Sequence, residues 1–127
     1  MIDHVSVYVS DVARARDFYA AALAPAGYQV LMQYPSAEAP HAVGLGVGKK
    51  PDLWLVKGNP TMTQHVAIAS ATRSVVNAFH AAALAAGGKD NGGPGVRAQY
   101  HPAYYGAFVL DPDGHNLEVV CHEPYIE

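Results

Sequence analysis

The chain has 127 residues, enough for one domain with a real core and too few for two. Its 8 basic and 11 acidic residues leave a formal charge of −3, with no cationic face to neutralise phosphates, so nucleic acid is excluded as a partner. Half the residues are hydrophobic and 15% are charged, which excludes a disordered chain. The single Cys121 excludes an internal disulfide, no apolar run reaches the roughly 20 residues of a membrane span, and the N-terminus reads as a strand and not a signal peptide. The expectation is a cytoplasmic protein without a membrane partner.

In chain order, the first predicted element is a strand over 4–9. Val5, Val7 and Val9 share one face, while His4, Ser6 and Tyr8 share the other. A helix follows, capped by Ser10 or Asp11, with Val12, Ala15, Phe18, Tyr19 and Ala22 as its apolar stripe; Pro25 and Gly27 end it. Strands are predicted over 28–33, 42–47 and 53–57, separated by Pro35, Pro40 and the Lys49-Lys50-Pro51-Asp52 corner. After the joint Gly58-Asn59-Pro60 comes a second strand with Val66 and Ile68 opposite His65, Ala67 and Ala69. Ser70 or Thr72 caps the next helix, whose stripe is Val75, Val76, Phe79, Ala83 and Ala86. The GGKDNGGPG segment reads as a loop, followed by a weak strand over 96–99 and firm strands over 105–110 and 116–122. Histidines 41, 101 and 115 fall in or near turns and His80 on a helix surface, all four in solvated positions.

The second half repeats the first. Shifted by 61 positions, His4 falls on His65, Val5 on Val66, Phe18 on Phe79 and Gly27 on Gly88, and the run Ala20–Ala24 falls on Ala81–Ala85. Each half reads β-α-β-β-β. The predicted class is α+β: two tandem βαβββ modules, 1–58 and 62–127, in one domain whose open, curved mixed sheet surrounds a cleft with the helices outside.

If the valine face of the first strand packs under its helix, His4 and His65 point into the cleft from equivalent positions. In the last strand Glu118 shares that face with Val120 and His122, opposite Leu117, Val119 and Cys121. A carboxylate between apolar residues is costly to bury unless it is paired or metal-bound. Aligning the closing strands puts Trp54 on Glu118, so an indole fills the slot of a fourth ligand. Two histidines and one carboxylate with open positions suit a divalent Fe, Mn, Zn or Ni ion. Trp54, Tyr8 and His122 are expected to line the substrate cleft.

These modules, with the starts DHVSVYVSD and HVAIAS and the close FVLDPDGHNLEVV, resemble the vicinal oxygen chelate superfamily, the group of glyoxalases, fosfomycin- and bleomycin-resistance proteins and extradiol dioxygenases. The resemblance covers essentially the whole chain and is nearest to a small bacterial glyoxalase-like subgroup. It implies metal ligands at His4, His65 and Glu118, a small-molecule substrate that chelates through oxygen, and a homodimer. By likeness to the ring-cleaving members, His101, Tyr104 and Tyr105 are the candidate acid–base residues, Tyr100 lying beside them. The implied activity is lyase- or isomerase-like, or ring cleavage. Trp54 stands where glyoxalase isomerases carry a second glutamate, which tells against that particular isomerisation. The alternative is a metal-free protein that binds a drug or other small molecule.

Overall fold

The structure, a computed structural model, describes residues 1–124. Its elements are β1 (Val5–Val9), α1 (Val12–Leu23) with a 3-10 turn at Ala24–Ala26, β2 (Gln29–Tyr34), β3 (Ala42–Gly46) and β4 (Leu53–Lys57). The second module contributes β5 (His65–Ser70), α2 (Arg73–Ala85), β6 (Lys89–Val96), β7 (Tyr105–Leu110) and β8 (Asn116–Cys121). Each module forms its own open four-stranded sheet, ordered β1-β4-β3-β2 and β5-β8-β7-β6. Both sheets are mixed: β1 runs parallel to β4 and β5 to β8, while the other pairs are antiparallel. The registers repeat as well, since Val5 opposes Leu53 and Val66 opposes Leu117. No helix among the described residues is long and apolar enough to cross a membrane.

Asp11 caps α1 by accepting from the Arg14 amide, and Thr72 caps α2 by accepting from Val75. The α1 stripe Val12, Ala15, Phe18, Tyr19 and Ala22 is wholly buried, and Val76, Phe79 and Ala83 bury the matching face of α2. With Val7, Val9, Leu53, Leu55, Leu117 and Val119 from the strands they form one core that spans both modules. A shared core makes the two modules one folding unit, because neither buries its apolar face alone.

Polar contacts then fasten the modules together. The Tyr19 hydroxyl donates to Asp111 Oδ2 at 2.6 Å, while Asp111 Oδ1 accepts from the Asp113 and His115 amides at 2.8 and 2.9 Å. Burial, then the neighbouring Asp111 carboxylate, keeps that hydroxyl protonated well above the ordinary phenol range. His115 Nδ1 accepts from the Gln64 amide at 2.9 Å, so the ring proton sits on Nε2 and is donated to the Tyr8 carbonyl at 2.9 Å.

Three expectations are corrected. His115 is buried, because its ring bridges β1 and the segment before β5 across the module boundary. His80 is largely covered, its side chain 15% exposed and paired with Asp90 at the start of β6. The Gly-rich segment read as a loop is most of β6, and of the strand predicted over 96–99 only Val96, the end of β6, is strand. Backbone pairing with β7 carries β6 through two register irregularities, around Gly92, where β-branched side chains are missing.

Candidate functional site

Glu118 sits in mid-β8 opposite Ala67 of β5 and Phe108 of β7, and only 1% of its surface is exposed. Both of its oxygens are engaged. Oε1 lies 2.7 Å from His65 Nε2, and Oε2 accepts the Tyr104 hydroxyl. The His65 side chain is itself 54% exposed, so the pair presents one open imidazole and one covered carboxylate. Phe108, Tyr100 and Tyr104 complete a cavity of about 310 Å³ around them. Burial and the Glu118 carboxylate push the Tyr104 phenol up to about 12, which makes it a hydrogen-bond donor and not a base at neutral pH.

Beside this pocket lies an aromatic cluster. His101 Nδ1 accepts from the Ala103 amide, leaving Nε2 to donate to His122 Nδ1 at 2.8 Å. Both rings meet Tyr104 edge-on, at 5.5 and 5.4 Å between centroids. His101, Tyr104 and His122 are thus brought together with Glu118. Tyr105 is not: it stands on the helix side of β7, its hydroxyl donating to Asn77 of α2 and its ring beneath Arg73.

His4 is elsewhere. It lines a 460 Å³ groove with Tyr28, Val47, Asp52 and the edge of β5 from Val66 to Ala69. Its Nδ1 lies 2.8 Å from Asp3, whose carboxyl the Lys50 ammonium and His4 hold below the usual carboxylate range. Among the described residues of one chain, no three His, Cys, Asp or Glu side chains converge as a metal-holding group. His65 and Glu118 do suit half of one. Two donors bound side by side to one ion at about 2.1 Å each are about 3 Å apart, close to the spacing of this pair.

The first module holds the symmetric slot differently. Ser6 opposes Trp54 as Ala67 opposes Glu118, and Gly44 opposes Trp54 as Phe108 opposes Glu118. The half-buried indole lies over Gly44 and stacks on Tyr34, ring centroids 6.1 Å apart and planes 18° from parallel. A Cβ on Gly44 would stand 2.9 Å from both Trp54 and Pro51. Gly44→Ala is therefore expected to cost about 1–3 kcal/mol by overpacking. Urea denaturation should show part of that loss recovered when Trp54→Leu is added, the Pro51 ring still crowding the Cβ; additive losses would mean the clash is not with the indole. Tyr8 is half-exposed and borders a separate 430 Å³ cavity with Asn59, Met62 and Gln64.

One pocket residue escaped the sequence reading. Phe108 was legible from strand alternation, since it shares the face of β7 that pairs across to Glu118. Arg97, which follows β6, stands behind this pocket wall, its guanidinium over the Phe108 ring, 5.4 Å from its centroid, and makes no ion pair with Glu118.

The model of the family described as Glyoxalase/Bleomycin resistance protein/Dioxygenase superfamily matches residues 1–119. No curated protein sequence matches. Among solved structures, a glyoxalase/bleomycin resistance protein from Albidiferax ferrireducens T118 is 24% identical at a TM-score of 0.70, covering 94% of this chain and 96% of that one. TioX from Micromonospora sp. ML1 is 19% identical at 0.73, again covering 94% and 96%. An E144Q variant of glyoxalase I from Zea mays is 24% identical at 0.70; the match covers 94% of this chain and 46% of that longer one. At these identities the likeness is one of fold.

Proposed function

Because the chain belongs to the glyoxalase/bleomycin resistance protein/dioxygenase superfamily, we propose that it is a divalent-metal-dependent enzyme acting on a small oxygen-chelating substrate. The chemistry is lyase- or isomerase-like, or ring cleavage. One observation carries the reading: a fully buried glutamate whose partners are an exposed histidine and a tyrosine hydroxyl at a small aromatic-walled pocket. Burying a carboxylate so costs several kcal/mol unless it is matched, and a site for a cation accounts for the expense.

In this reading His65 and Glu118 hold the ion, Fe, Mn, Zn or Ni, from one copy, and His4 completes the set from a second copy in a homodimer. His4 and His65 lie on or beside the edge strands β1 and β5, free for such an approach. A bound ion supplies a Lewis acid that polarises a substrate oxygen. Tyr104 fixes Glu118 by its hydrogen bond, as outer partners of metal ligands do. Phe108 and Tyr100 exclude water from one side of a bound substrate, and the paired His101 and His122 hold the Tyr104 ring edge-on.

The test is elemental analysis of untagged protein. Near-stoichiometric metal is expected in the wild type, with loss of at least about a hundredfold in affinity in Glu118→Gln and His65→Ala at unchanged circular dichroism. Wild-type protein that takes up none of the four ions would sink the reading. It would favour a metal-free binding protein instead, for which the Trp54–Tyr34 stack offers a flat aromatic surface.

A further inference from the structure

Arg97 lies against Phe108, a wall of the pocket, and among the described residues nothing pairs with its charge. Its Nη1 and Nη2 donate to the carbonyls of Gly95 and Gly93, each at 2.8 Å, and among the described residues no carboxylate lies within ion-pair distance of it. Glu118 would be the obvious partner, but its oxygens are taken by His65 and Tyr104. Strand β6 is shaped to the guanidinium: a Cβ on Gly92 or Gly95 would stand 3.1 Å from it. Two neutral carbonyls orient an arginine without cancelling its charge, and they leave three of its five N–H groups available.

The same guanidinium lies over Phe108, whose ring faces His65 at 6.2 Å between centroids and forms a wall of the pocket. Arg97 and His65 thus both lie against the Phe108 ring. We propose that Arg97 is an anion-binding residue of the site, so that the substrate is a small molecule with an oxyanion group, carboxylate or phosphate-like, apart from its chelating oxygens. The proposal rests on the reading of His65 and Glu118 as the reacting end. The fixed fork of an arginine suits such a group better than a point charge does.

The test uses the whole protein as purified and a matched pair of probes, 3,4-dihydroxybenzoate and 3,4-dihydroxybenzamide, which share a chelating pair of hydroxyls and differ in charge at the opposite end. Calorimetric titration near neutral pH gives the preference for the anion in wild type, Arg97→Met and Arg97→Lys. That preference should fall about tenfold in Arg97→Met and lie in between in Arg97→Lys. Any preference due to bound metal is common to the variants and cancels in the ratio. Titration with Mn(II) alone should give the same affinity in wild type and Arg97→Met. A fall in anion preference of less than about threefold overturns the assignment. So does loss of Mn(II) binding in Arg97→Met, which would make the residue a structural support of β6. A wild type that prefers the anion through Arg97 but binds no metal upholds the anion site and sinks the metal reading instead.

Discussion

Protomers carrying His4→Ala, unfolded and refolded together with an equal amount of Glu118→Gln protomers, should regain about a quarter of the wild-type metal sites, though neither variant alone binds metal tightly. The expectation follows from where the proposed ligands lie. His65 and Glu118 touch within one chain, while His4 lines a different cavity beside Asp3 and Lys50. In a two-fold dimer whose sites each take His4 from one copy and the pair from the other, a mixed dimer has one doubly damaged site and one intact site. Random exchange makes half of the dimers mixed, hence the quarter. Metal content of the refolded mixture checks it, with mass spectrometry under native conditions confirming that mixed dimers formed. No recovery in a sample that contains them would mean that His4 is not supplied across copies.

The second large effect is on stability. Asp111→Ala is expected to cost about 3–5 kcal/mol, read from urea denaturation, because it removes a buried carboxylate that satisfies three donors at once. One donor belongs to the first module and two to the second, so the loss falls on the contact that fixes how the modules meet. Tyr19→Phe should cost less, about 1–3 kcal/mol, since Asp111 keeps its two backbone donors. The double variant should lose less than the two single losses combined, because both report on one hydrogen bond. A loss below about 1 kcal/mol in Asp111→Ala would mean that apolar packing alone holds the modules together.

Whatever depends on local periodicity was legible in the sequence. The period of the apolar residues predicts both helix stripes, and the polar residue before each stripe predicts its cap. Alternation assigns the faces of β1 and β8, and the repeat predicts Trp54 in the slot of Glu118, which the strand registers bear out. β6 was not legible, because its Gly-rich residues lack strand preference and only pairing with β7 makes them one. Nor was the burial of His115, whose partners Tyr8 and Gln64 lie 107 and 51 residues away.

The separation of His4 from His65 has the same origin. The repeat equates the two residues, and equivalence under a pseudo-two-fold says which positions correspond without saying how far apart they stand. That distance depends on how one sheet is set against the other. Here α1 packing on α2 and the Asp111 and His115 contacts decide it, all between residues distant in the chain. Alternation within a strand tells a side chain which face to take; only the docking of the modules determines what that face meets.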